Sequence, residues 1–491
     1  MFEWLPISKA SDFERLVDLL DPTEYGLQEV VDWLAQHAND TVAGVLVEFP
    51  YIDKDYRSTY YHYYAKKGRA YSSLSARLHF FPKGWKLSVN PLTLGQPAEG
   101  SNPIDATVSR DYLGFMTLRP TRINTIGRTV LHPSVIRDAG GWIIGHRHKA
   151  HVLGHRVDTR GFPFMQQHTD IAVCAHTACW AILRHYSERY SLYREVLVHD
   201  VSRLGREFDP GGLLPSLGIT AREVERIFAA VGTYPLLVMR GKDDVSADTR
   251  YYDELLAYLD SGFPLFGVQS ERGHAIAVVG YRASDLVQGQ ASEYRAREWD
   301  YVTHLLVVDD NHYPYMPVPR DKQTGSPYAV NEIDGFIVPL PEKMFLPAVA
   351  AHTWAADFKA APLPEFDELT VETDLVTRCF VTTTASWQRF VREHALKLDG
   401  EFVTAALELT MPQFLWVIEY ATPAQRSTQQ IQARVLLDAT AGPYDPFPAF
   451  LVHDRKGALW IDRANKAPMQ YQQFDKPLAT LTKMANNLQE F

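Results

Sequence analysis

The sequence predicts an α+β protein built in three parts. Segments with apolar residues at helical spacing, such as Leu27–Ala38, Cys174–Tyr190 and Thr220–Val231, are mixed with short runs rich in β-branched and aromatic residues, such as Val42–Phe49, His274–Tyr281 and Phe414–Tyr420. Neither type dominates. At 491 residues the chain is also longer than one ordinary hydrophobic core can organise. The texture changes near residue 160 and again after residue 341, where the Pro-bearing stretch AAPLPEFDELT follows, giving expected regions 1–160, 161–340 and 341–491.

In the first region helices are expected at Ser11–Leu20 and at Leu27–Ala38, the second with Asn39 near its end. Strands are expected at Val42–Phe49, Ala76–Phe81 and Tyr112–Leu118, separated by turn-forming residues. Together they read as a mixed α/β domain. The middle region opens its helices with Cys174–Tyr190. Thr220–Val231 follows, where Glu223 three residues after Thr220 forms a capping box. Tyr252–Leu259 ends ahead of Ser261-Gly262. Three strand-length runs come next: Pro264–Val268, His274–Tyr281 and His304–Val308. The last region is again mixed α/β, with a helix at Ser386–Lys397 and strands at Phe414–Tyr420, Gln432–Leu437 and Ala449–His453. No internal repeat or low-complexity tract is present.

Composition narrows the function classes. The chain is 46% hydrophobic and 22% charged, as soluble globular proteins are, and its net charge is −10. That acidity disfavours non-specific binding to nucleic acid or to anionic membrane. No apolar run has the length of a membrane span, and the start MFEWLPISKASDFERL lacks the basic and apolar stages of a signal peptide. Three cysteines, an odd and sparse count, suit a reducing compartment rather than a disulfide framework. A cytoplasmic protein is the expectation. There is no GxxxxGK[ST], no GxGxxG opening a helix, no HExxH, no CxxC and no EF-hand loop, so neither an organic cofactor nor a metal is expected.

The few thiols focus the search for chemistry. A thiol attacks only as thiolate, and a helix N-terminus with a nearby imidazolium favours that form. Cys174 stands where a helix begins, after Asp170-Ile171-Ala172-Val173. Cys179 lies inside the same helix beside Trp180, and Cys379 lies in the strand-like run TRCFVTTT; both read as small buried hydrophobes. A base must come from elsewhere in the chain. His274 opens the run HAIAVVGY directly after Arg272-Gly273, and the strand His304–Val308 runs into Asp309-Asp310-Asn311, either acid of which can orient an imidazole.

The order helix-Cys, strand-His, strand-Asp resembles the papain-like cysteine peptidases over Gly161–Tyr315, about a third of the chain. It is most similar to their bacterial branch resembling the peptidases that trim double-glycine leaders. The matching pieces are Pro163-Phe164-Met165-Gln166-Gln167, Cys174, His274 through Gly280-Tyr281, and Val307-Val308-Asp309-Asp310. The resemblance implies a papain-like core, with a helical half and an antiparallel-sheet half, flanked by the two terminal mixed domains. It implies a thiol hydrolase cleaving a protein or peptide amide. Cys174 would be the nucleophile, His274 its base, Asp310 or Asp309 the orienting acid, and Gln167 the oxyanion donor beside the Cys174 backbone amide.

Two departures stand out. His168 occupies the place six residues before the cysteine where the family carries its glutamine, with Gln167 one residue further back, and Ala175-His176 replaces a Gly-Pro-like pair. A rival alignment takes Cys179-Trp180-Ala181 as the papain-like Cys-Trp-Ala, but Val173 then stands in the glutamine's place. Acyl transfer, deamidation, or a catalytically dead peptidase fold kept as a scaffold are the alternative readings.

Two further patterns are weighed against simpler ones. His146, His148, His151 and His155 fall close together, as zinc ligands can, but without an accompanying acid or cysteine they read as a solvated strand and turn. The stretch YIDKDYRSTYYHYYAKKGRAY interleaves tyrosines with cations. It reads first as an amphipathic element whose rings pack, then as a protein-contact surface, and last as a grip on single-stranded nucleic acid.

Overall fold

A computed structural model of the chain describes all residues except 1, 39, 83–111, 154, 169–173, 206–217, 242–244, 286–296, 342–343, 361–362, 364, 367–374, 443–444, 446–447 and 463–468. The approach to Cys174 (170–173) and most of the Pro-bearing stretch 360–370 therefore lie outside the described residues. The architecture mixes helices with several antiparallel sheets. No helix among the described residues is long and apolar enough to cross a membrane.

The N-terminal sheet has five antiparallel strands in the order Phe2–Pro6, Val42–Tyr51, Ser75–Pro82, Gly114–Leu118 and Ile126–Leu131. The amphipathic helix Leu27–His37 buries Leu27, Val30, Val31, Trp33 and Leu34 beside it. The histidine tract forms a separate hairpin, His146–Val152 against His155–Gly161.

The central sheet carries His274 and leads into Asp309 and Asp310. Its path runs Pro314–Pro319, Val302–Val308, His274–Ala283, Leu265–Gln269, Gly335–Leu340, Tyr234–Met239, antiparallel throughout. The edge strand Pro314–Pro319 holds three prolines and was not predicted; at an edge a missing N–H breaks no ladder. The helix Cys174–Arg189 packs across the His274 strand, and every residue from Ala175 to Tyr186 is buried. That all-round burial explains a helix apolar on more than one face. The capping box at Thr220 forms, with Glu223 N–H donating to Thr220 Oγ1 at 3.3 Å and Thr220 N–H to Glu223 Oε2 at 2.8 Å. The helix Val245–Asp260 begins seven residues earlier than its apolar pattern suggests.

Gly280 and Tyr281, near the end of the His274 strand, are fixed by packing. The short strand Trp142–Ile143 pairs with them, and a Cβ on Gly280 would lie 2.1 Å from the Trp142 carbonyl oxygen. Tyr281 donates its hydroxyl to buried Asp260 at 2.7 Å. Gln489–Glu490 pairs on the other side of Trp142–Ile143. The C-terminal sheet, Val376–Thr383 through Gln470–Gln473, has six strands. Arg378 ties it to the central part, bonding Asp260 at 2.9 Å and Glu419 at 3.1 Å. One apolar cluster draws residues from all three regions of the chain, and a second surrounds Trp387 and Phe402.

Candidate active site

Cys174 is the first residue of its helix and is half-buried. His274 is the first residue of its strand. The chain reaches it through a 3₁₀ turn, Ser270–Arg272, closed by Gly273 in the left-handed region at φ 59°, a conformation that favours glycine. Helix-on-sheet packing brings the two together, with the Cys174 side chain among the groups that raise the pKa of the His274 ring. The ring's Nε2 hydrogen-bonds Asp309 Oδ1 at 3.1 Å.

Asp309 is fully buried and well supplied with donors. Besides His274, its Oδ1 accepts the Asn311 N–H at 3.0 Å, and its Oδ2 accepts the Tyr328 hydroxyl at 2.7 Å. Burial alone would favour the neutral acid, but the hydrogen bonds from His274 and Tyr328 outweigh it and hold the carboxyl below its usual range. The imidazole shows the complement. Burial disfavours its charge, yet Asp309 and Cys174 raise its pKa to about 10.

The sequence left Asp309 and Asp310 as equal candidates for the acid, and Asp310 makes no hydrogen bond to the ring. Both acids follow the strand Val302–Val308, which is registered on the His274 strand through Ala277↔Val308 and Val278↔Val307, so both come close to the ring. Asp309 makes the hydrogen bond. Asp310 is buried close by, with Oδ2 lacking any partner, and burial together with repulsion from Asp309 pushes its pKa to about 7.

The two glutamines part company. Gln166 is bound into the N-terminal region, accepting the Ile126 N–H at 2.9 Å and donating to Glu29 at 2.7 Å. Gln167 is half-exposed and donates its amide to Asn311 Oδ1 at 3.3 Å, two residues beyond Asp309. His168 is buried with Nδ1 3.5 Å from the Tyr64 hydroxyl, and burial keeps it neutral.

Cys179 is fully buried and burial pushes its thiol up, away from the reactive form. Cys379 makes a second Cys–His contact, Sγ to His352 Nδ1 at 3.6 Å. Burial raises that thiol and lowers His352 to about 4, so both partners are held neutral. Nothing in the sequence marks this pair, and it differs from Cys174 and His274 in that its thiol is buried.

Several supporting residues escaped the sequence reading. Tyr328 comes from a loop with no pattern of its own. Trp33, on the N-terminal helix, donates to the His312 carbonyl at 2.9 Å, and His37 stacks on Tyr313 at 4.1 Å, so that helix props the loop that follows Asp309 and Asp310. The Tyr-rich stretch forms the helix Lys54–His62 and the 3₁₀ turn Tyr64–Lys66, with Tyr56 and Tyr64 buried among Tyr60, Tyr63 and Tyr71. Its Asp55 accepts from Trp180 Nε1 at 2.9 Å and from Arg184 at 2.7 Å, both on the Cys174 helix. In the histidine hairpin His148 is buried and lowered to about 3. Among the described residues the one group of three or more histidines, cysteines or acids spaced as metal ligands is His274, Asp309 and Asp310.

No protein-family model matches the sequence, and no curated protein matches it.

Proposed function

We propose that the protein is a thiol-dependent amide hydrolase of the papain-like kind, acting on a protein or peptide. The observation that carries this reading is the position of His274, whose Nε2 hydrogen-bonds Asp309 and whose pKa is raised by both Asp309 and the Cys174 side chain. A helix-led cysteine, a histidine at the start of an antiparallel strand and an acid beyond the neighbouring strand support the same reading.

The chemistry follows from these atoms. An imidazolium beside a sulfur favours the thiolate. The Cys174 sulfur attacks the amide carbon, and His274 passes its proton to the departing amine. Water, deprotonated by His274, then cleaves the thioester, releasing the acid and returning the sulfur. Asp309 keeps the ring in one orientation throughout. Gln167, which bonds Asn311 beside Asp309, is the side-chain amide read from the sequence for the oxyanion.

Alkylation by iodoacetamide tests the reading. The native protein should be modified at Cys174 within minutes, Cys174→Ala should take up no label, and His274→Ala should react at least about tenfold more slowly. Modification that persists in Cys174→Ala and disappears in Cys179→Ala would sink it.

A further inference from the structure

The buried carboxyl that the triad does not use lies beside the two groups that it does. The ligand atoms of His274, Asp309 and Asp310 all fall within 4.8 Å of one another. His274 Nε2 and Asp309 Oδ1 are already 3.1 Å apart, close to the edge of about 3.3 Å that a tetrahedral ion with bonds of 2.0–2.1 Å requires. Asp310 is only 4% exposed, and its Oδ2 has no hydrogen-bond partner. A buried carboxylate oxygen without a donor is costly. No lysine or arginine among the described residues pairs with either acid; the nearby Arg272 is engaged by Glu332 at 2.7 Å.

We propose that His274 Nε2, Asp309 and Asp310 bind a divalent transition metal, zinc above all, and that the ion holds the thiol site inactive. One imidazole nitrogen with two carboxylates is a donor set that suits zinc, and two carboxylates with a neutral imidazole balance its charge. The ion takes the place of the Nε2 proton, which leaves to solvent. The neutral ring keeps its remaining proton on Nδ1, so with both nitrogens occupied His274 cannot take the Cys174 proton or form the imidazolium, and Asp309 no longer orients it. The inactivating consequence rests on the hydrolase reading above. The binding itself does not, because sulfur is not among the ligands.

Calorimetric titration of zinc into the Cys174→Ala protein separates the two. The expected result is one saturable site in Cys174→Ala, weakened at least about tenfold by adding Asp310→Asn. Cobalt bound to the unaltered protein should show d–d bands without thiolate charge transfer, a readout that needs no variant. In the unaltered protein, zinc should slow iodoacetamide modification of Cys174, and a chelator should restore it. Binding lost in Cys174→Ala, binding indifferent to Asp310→Asn, or a cobalt–thiolate band would each overturn the proposal. A Cys174 that is inert to iodoacetamide even with chelator present, alongside intact zinc binding in Cys174→Ala, would instead strike the hydrolase reading and leave the metal site standing.

Discussion

Tyr328 donates its hydroxyl to Asp309 Oδ2 at 2.7 Å, on the carboxylate oxygen that His274 leaves free. The contact helps to keep Asp309 ionised where burial would neutralise it. Tyr328→Phe removes a hydrogen bond to a charged group, worth about 1.5–3 kcal/mol. Asp309 should then hold its proton to higher pH and support the imidazolium less. Iodoacetamide kinetics at pH 6 should show Cys174 reacting severalfold more slowly in Tyr328→Phe, with its acid limb moved to higher pH.

The pH dependence of stability has a definite sign in metal-free protein. His274 is raised from 6.5 to about 10, so its contribution is fully present below pH 6.5 and is lost as pH rises through about 10. Asp309 is lowered, so its contribution is present above its unfolded value of about 3.9 and fades as pH falls through the folded one. Urea midpoints at pH 6.5 and pH 10, with chelator, should fall further in the unaltered protein than in His274→Gln. Equal declines would contradict the coupling.

Asp310 behaves in the opposite sense to Asp309. Its pKa is raised to about 7, so the stability it contributes is present at low pH and lost as pH climbs toward 7. Above pH 7 it is a buried charge with an unpartnered oxygen. Asp310→Asn should therefore be more stable than the parent at pH 8, by on the order of 1–3 kcal/mol, and the gain should vanish near pH 4. Denaturation curves at the two pH values decide it.

The glycine of the His274 strand makes a structural prediction. Any side chain at Gly280 meets the Trp142 carbonyl, which is backbone and cannot swing aside. Gly280→Ala should cost on the order of 3 kcal/mol in urea unfolding.

A buried acid links the Tyr-rich helix to the Cys174 helix. Asp55 is 2% exposed and satisfies both Trp180 and Arg184. Asp55→Ala leaves the Trp180 N–H without its acceptor and Arg184 with Glu195 alone, and should cost on the order of 3 kcal/mol, whereas Arg57→Ala, on the outer face, should stay within about 0.5 kcal/mol. Thermal and urea denaturation of the two variants provide the comparison.

Sequence patterning carried the elements well where one residue set its own context. The helical spacing after Cys174, the capping box at Thr220 and the run from His274 to Tyr281 are local signals, and the elements formed there. The choice between Asp309 and Asp310 was not legible, because it depends on where the strand Val302–Val308 gives way to a turn. The role of Gln166 was hidden too: its partners Ile126 and Glu29 lie far back in the chain. Tyr328 and Trp33 act through tertiary contact alone. The Pro-rich strand Pro314–Pro319 broke the usual strand rules only because it sits at an edge.

Trp33 and His312 stand 279 positions apart, yet their hydrogen bond props the turn that carries the acids. Asp55 likewise reaches the Cys174 helix from the N-terminal part. Excising residues 161–340 would strip the His312 carbonyl of its donor and take from Arg184 its buried partner Asp55, leaving only Glu195. Cys174 and His274 thus belong to a cooperative unit wider than their own stretch of chain. A nick or a destabilising change in the first sixty residues should be felt as lost thiol reactivity before the central sheet itself gives way.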